Sequence, residues 1–141
     1  MNSSAAFSAP PAARDLAAFN RLVEQHQTLL YTVAFRLLGE AEDATTATHA
    51  AVSAAFARPC PPGCLGQVWL LRCVLAACGG RGRPGHGLAA LPVDQRQAVA
   101  LVDLAGLDYA QAAAVLDVPP AVLRARLAAA RRALTTARAA L

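Results

Sequence analysis

The chain has 141 residues, enough for one compact domain or two very small ones. Hydrophobic residues make up 56% of it but aromatics only 5%, so alanine carries much of the apolar count and any core is thin. All thirteen basic residues are arginine against nine acids, and a net charge of +4 argues against an acidic solvating chain and for an anionic partner or a solvated basic face.

The opening MNSSAAFSAPPAARD has no basic n-region and no apolar run; it reads as a disordered leader over 1–14, not as a secretory signal. From Leu16 to Leu38, apolar residues recur at three- and four-residue spacing, which predicts a helix closed by Gly39. Asp43 is the expected N-cap of a second helix reaching about Ala57, where Pro59 and the loop CPPGCLG stop it. In that helix Val52 and Phe56 are the expected anchor pair, and Thr45, Thr46 and Thr48 weaken its propensity. A third helix covers about Gln67 to Cys78. Its apolar run VWLLRCVLAAC is too short to span a bilayer and contains Arg72, so no membrane association is expected and the location is cytoplasmic. These helices compose a first domain over 15–78.

GGRGRPGHG then reads as a flexible linker, placed at 79–88. In the second domain, 89–141, LPVDQRQAVALVDLAG predicts a helix from Pro92 to Gly106. LDYAQAAAVLDV predicts another, N-capped by Asp108, and the turn Asp117-Val118-Pro119-Pro120 ends it. The last helix runs to the end of the chain. No stretch alternates with period two, so the fold class is all-α with two small helical domains.

A short turn between the last two helices fits a helix-turn-helix, a winged-helix-like three-helix unit without a wing. Leu123, Leu127, Ala130, Leu134 and Leu141 lie on one stripe of the last helix, which must face the other two. Arg124, Arg131 and Arg138 line one shoulder, Arg126 the other, and Arg132 points outward. Residues 120–141 hold five arginines and no acid. Such an apolar keel can pack inward while its guanidiniums reach phosphates and guanine edges. From spacing alone, arginine that merely solubilises an alanine helix fits equally well. Tyr109 and Gln111 open the bracing helix, Tyr109 as a packing residue and Gln111 as a candidate phosphate contact.

LPVDQRQAVALVDLAGLDYAQAAAVLDVPPAVLRARLAAARRAL resembles region 4 of the extracytoplasmic-function (ECF) sigma factors of bacterial RNA polymerase. The match includes Leu91-Pro92, Gln95-Arg96, Gly106-Leu107-Asp108-Tyr109, Ala113, Leu116, Val118-Pro119, Arg124, Arg126-Leu127 and Ala130-Arg131. The first half resembles region 2 through DLAAFNRLVEQHQTLLYTVAFRLLG, Asp43-Ala44, Phe56 and Val68-Trp69-Leu70-Leu71-Arg72. The resemblance implies promoter DNA, RNA polymerase core and an anti-sigma factor as partners. It implies DNA contacts at Arg124, Arg126, Arg131, Arg132, Gln111, Val122 and Ala121. It also implies downstream promoter contacts at Trp69, Arg72, Arg81 and Arg83, and polymerase contacts at Asp43, Thr46 and His49.

The chain departs from the family pattern in three places. Where the family carries acids after Asp43-Ala44, this sequence has Thr45, Thr46, His49 and Ala50, removing charge complementary to a basic clamp. The segment before Trp69 is CPPGCLGQV, without the family's aromatic and basic residues, and Trp69 itself fits a packed core position as well as a stacking platform. In the reading helix Ala121, Val122, Ala125 and Ala129 stand where Gly, Thr, Ser and Arg are usual, so affinity rests on the arginines. About four phosphate contacts predict a slope of log affinity against log salt of roughly −4.

Two other readings accompany the sigma factor. One is a degenerate sigma-derived interaction or regulatory module that no longer engages polymerase core. The other is a thiol- or zinc-responsive regulator, through Cys60, Cys64, Cys73 and Cys78. Against a metal, Cys73 and Cys78 lie about 140° apart around a helix, so no metal and no cofactor is expected. His26, His49 and His86 form no triad pattern and no glycine-rich phosphate loop follows a strand, so the chain is not expected to be an enzyme.

Overall fold

A computed structural model describes residues 13–58, 60, 63–81 and 87–139, and every regular element among them is helical. In chain order they are α1 (Ala13–Leu38), α2 (Ala41–Ala57), α3 (Gly66–Cys78), a 3₁₀ turn (Gly87–Ala90), α4 (Val93–Val99) running into a π-helical turn (Ala100–Leu104), α5 (Tyr109–Leu116) and α6 (Pro120–Ala139). The all-α reading stands. Residues 1–12 of the expected leader, Arg83, and the side chain of Arg138 lie outside the described residues, whereas residues 13 and 14 already belong to α1.

α1, α2 and α3 pack on one another. Gly39, with φ +80°, closes α1 in the left-handed conformation that glycine adopts without strain, and its N–H donates to the Phe35 carbonyl at 2.7 Å. α2 begins two residues before Asp43, at Ala41. Its N-cap is Glu40, whose side chain makes no cap bond, and Asp43 sits in the first turn, where it complements the positive end of the helix dipole. The expected anchors of α2 also shift. Its buried stripe is Ala44, Ala47, Ala51 and Ala55, with Val52 and Phe56 only half-buried at its edge. Alanines at this spacing let neighbouring helices approach closely, so contact replaces side-chain volume. Phe56 packs on Phe19 at a centroid distance of 5.1 Å and an interplanar angle of 60°. Gly66 fills the same need in α3: a Cβ there would stand 2.7 Å from the nearer Leu22 methyl.

α4 and α6 pack together, α5 lies on α6, and both groups of helices share one cluster of buried side chains. α5 also touches α3, and the π turn touches α1. The helix expected from Pro92 to Gly106 is therefore one element with a wider last turn: Ala105 N–H reaches back five residues to Ala100 O at 2.9 Å.

Arg96 is the buried charged residue of the described core. Its guanidinium donates to the carbonyls of Leu88 (3.1 Å), Leu91 (3.0 Å), Gly80 (3.1 Å) and Arg81 (3.3 Å). Four carbonyls from a glycine-rich connection thus converge on one cation, which supplies the donors that a turn without regular pairing lacks. Both edges of the expected linker, Gly80-Arg81 and Leu88, are tied to α4.

Candidate nucleic-acid interface

The local chemistry of the turn sets where α6 points. Asp108 and Gln111 form a reciprocal capping box: the Asp108 carboxylate accepts the Gln111 N–H at 2.7 Å, and the Gln111 side-chain oxygen accepts the Asp108 N–H at 3.1 Å. Gln111 is exposed, and its amide NH₂ remains for an outside acceptor. At the other end of α5, Asp117 takes the left-handed conformation (φ 56°, ψ 48°), and Val118 N–H donates back to Ala113 O at 3.0 Å. Pro120 then opens α6, where a missing N–H costs nothing.

Leu123, Leu127 and Ala130 are fully buried and Leu134 half-buried, so the keel of α6 faces α4 and α5. Ala121, Val122, Arg124 and Arg132 are exposed. Arg124 and Arg132 make no hydrogen bond or ion pair among the described residues. Two further arginines among the described side chains, Arg126 and Arg131, are engaged. Arg126 stands 3.7 Å from the Asp94 carboxylate, at the start of α4. Arg131 grips Asp103 through two N–H donors, at 2.6 and 3.1 Å. The Asp103 carboxylate that accepts from it, with the Tyr109 hydroxyl nearby, raises the Arg131 guanidinium above its ordinary value. Among its described side chains, α6 thus offers two uncommitted cations and two that must exchange a carboxylate for a phosphate. Both kinds suit charge-assisted bonds to phosphate oxygens.

The first-half candidates are arranged differently. Trp69 is half-buried against the core and its indole N–H is buried without an acceptor among the described residues, a packed position and not an open stacking face. Arg72 turns away from solvent toward α5: Nη2 and Nε donate to Ala114 O at 2.7 and 3.2 Å, and Nη2 lies 3.8 Å from Asp117. Arg81 caps the end of α3, donating to Ala77 O at 2.8 Å and Cys78 O at 3.2 Å. Asp43 and Thr46 line a shallow depression at the start of α2. His49 lines the neighbouring groove of about 680 Å³ between α1 and α2, with Gln27, Tyr31 and Val52. No fixed charge lines this second groove.

Among the described residues, no group of three or more His, Cys, Asp or Glu side chains is arranged to hold a metal ion. All four cysteines are free thiols. Burial pushes Cys60 and Cys78 up to about 11 and raises Cys73, so these thiols stay protonated at neutral pH. Cys60 Sγ donates to Cys64 O at 3.1 Å, closing the CPPGC loop.

The family described as "Sigma-70, region 4" matches residues 86–134. This segment is similar to that family. The chain is 51% identical over 47 residues to the ECF RNA polymerase sigma factor SigC of Mycobacterium tuberculosis and to the probable RNA polymerase sigma-C factor of Mycobacterium bovis. Those 47 residues are 33% of this chain and 25% of each relative, so the match spans about a quarter of the curated relatives' length. Over nearly the whole chain, the fold is that of CnrH, solved in complex with the cytosolic domain of CnrY. The TM-score is 0.78 with 22% identity, covering 98% of this chain and 95% of the other. The resemblance to ECF sigma factors is borne out, in sequence through region 4 and in fold throughout.

Sequence reasoning did not find Asp94, Asp103 or the carbonyl cage of Arg96. Asp103 and Arg131 are 28 residues apart and no local spacing links them. The Arg96 cage had no local signal, because Arg96 lies in the polar run Asp94-Gln95-Arg96-Gln97 and its acceptors come from the preceding turn.

Proposed function

We infer that the chain is a sigma-type transcription initiation factor that binds promoter DNA through region 4 and brings RNA polymerase core to it. One observation carries the reading: a region 4 whose α6 presents Arg124 and Arg132 outward, with no acid along the helix, on a keel buried against α4 and α5. Ala121 and Val122 stand exposed at the start of that helix, where base edges are read, and Gln111 stands exposed near the start of the bracing helix. The reading keeps two units, 15–78 and 89–141, with promoter melting and polymerase docking assigned to the first. Its protein partners are polymerase core, met at Asp43, Thr46 and His49, and an anti-sigma factor; the complex of CnrH with CnrY, on the same fold, supports a regulatory protein partner. The location that follows is cytoplasmic, and the chain catalyses no reaction of its own.

A second reading, the interaction module without polymerase, is favoured by the α2 surface, where Thr45, Thr46, His49 and Ala50 are exposed beside Asp43. A clamp that expects acids there meets hydroxyls and an imidazole. Run-off transcription with core enzyme and a randomised promoter library separates the two. Transcripts with a shared upstream motif support the sigma factor; duplex binding without transcripts, and no capture of core enzyme, supports the module.

A further inference from the structure

The start of α6 carries almost nothing that can pair with a polar base edge. From Val118 to Ala125 the sequence reads VPPAVLRA, in which Arg124 alone has a side chain with a hydrogen-bonding group. The backbone adds little. Pro120 has no N–H, and the N–H groups of Val122 and Leu123 both donate to Pro119 O, at 3.0 and 3.2 Å. Yet Ala121, Val122, Arg124 and Ala125 are exposed, and Val122 keeps 37% of its surface open to solvent. The exposed residues of α1 are of another kind, with Arg21, Glu24, Gln25, Gln27 and Thr28 among them.

Helical geometry fixes how these residues stand. Leu123 is fully buried at the keel. Ala121 and Ala125, two positions either side of it, lie about 200° round the helix and so face outward. Val122 and Arg124, one position either side, stand about 100° away on opposite shoulders. The outward face is thus a low, methyl-lined surface between a branched apolar side chain and a guanidinium. Such a face can come close to the floor of a major groove. There adenine, guanine and cytosine present donors and acceptors, which valine or alanine would strip of water without replacing it. Among the four bases thymine alone presents a methyl group.

We propose that Val122 is a specificity-determining residue of α6 that selects a thymine through its 5-methyl group, while Arg124 on the opposite shoulder holds the helix to the duplex by charge. The preference comes from burying one methyl group, about three- to fivefold in affinity for such a contact. This inference rests on the DNA-binding role proposed above and deepens it: apolar contour is read on one shoulder of the helix, and charge is met on the other.

The full chain first enriches a duplex from a randomised library. Each thymine of that duplex is then replaced singly by deoxyuridine, which pairs with adenine as thymine does but lacks the methyl. Anisotropy at fixed salt compares wild type with Val122→Ala, Val122→Ile and Arg124→Ala, and circular dichroism checks helix content. The expected result is a thymine whose replacement weakens wild-type binding about three- to fivefold. Val122→Ala should bind the thymine and deoxyuridine duplexes nearly alike, and Val122→Ile should keep the difference. Arg124→Ala should weaken binding to both duplexes and leave their ratio as in wild type. If no thymine has such an effect, or if the ratio is unchanged in Val122→Ala, the proposal is overturned and DNA binding still stands. A Val122 that only supported the fold would lower affinity for both duplexes together, with the same unchanged ratio. If the wild-type chain enriches no duplex even in dilute buffer, the DNA-binding role fails and this inference fails with it.

Discussion

Arg131 and Asp103 form a two-pronged pair, 2.6 and 3.1 Å, that links the outer edge of α6 to the π turn after α4. One of the arginines that the seven-residue spacing offered to DNA is thus held by a carboxylate of its own domain. Any phosphate must displace Asp103. Asp103→Asn keeps the shape and removes the competing charge. Because the pair is solvent-exposed, the expected loss of stability is small. Duplex affinity should rise about threefold in filter binding as Arg131 is released; weaker binding would mean that Asp103 positions Arg131 for its contact.

Arg124 and Arg132 need displace nothing. Replacing either with alanine should weaken duplex binding and reduce the slope of log affinity against log salt by about 1. A salt titration of each variant checks this, and an unchanged slope in both removes α6 from the interface.

The keel is where region 4 is thermodynamically exposed to damage. Leu123→Ala and Leu127→Ala each remove a fully buried side chain from a thin core and should cost about 2–5 kcal/mol. Leu134→Ala, at a half-buried position, should cost clearly less. Urea unfolding followed at 222 nm ranks the three.

Arg96→Met keeps length and loses the donors. The carbonyls of Gly80, Arg81, Leu88 and Leu91 would each lose a partner, with an expected cost of about 2–4 kcal/mol. Amide exchange across residues 87–93 should speed up before the rest of region 4 responds.

The buried thiols give a pH signature. Unfolded cysteines ionise near 9.0, whereas native Cys60 and Cys78 hold their protons to about 11. As pH rises through that window, the unfolded chain releases protons that the native state keeps, so stability falls from pH 9 toward 11. Replacing Cys78 with alanine should flatten that fall. At neutral pH, iodoacetamide should label Cys64, which is partly exposed, well before Cys60, Cys73 or Cys78.

Much of this was legible in the order of residues. Gly39 as a helix stop, Asp108 as an N-cap and Asp117-Val118-Pro119-Pro120 as a turn follow from backbone preferences that act within four residues. The stripe of Leu123, Leu127 and Ala130 follows from the period of a helix, as does the position of Arg124 and Arg132 at its edges. α2 resisted the same reasoning. Alanine carries no directional signal, so neither its buried stripe nor its start at Ala41 could be read from Asp43, Val52 and Phe56. The π turn was also silent, because a single widened turn leaves the apolar spacing almost unchanged.

The sequence by itself determined an all-α chain, the ends of several of its helices, such as those at Gly39 and Asp108, and a basic final helix with an apolar keel, because these depend on local backbone and periodic forces. Tertiary structure alone decided which cations are committed. Arg72, Arg96, Arg126 and Arg131 each found acceptors from 5 to 42 residues away or on another helix, and Arg124 and Arg132 did not. The reason is the reach of a guanidinium: it takes whichever carbonyl or carboxylate packing brings within 3 or 4 Å, and packing is a property of the whole chain.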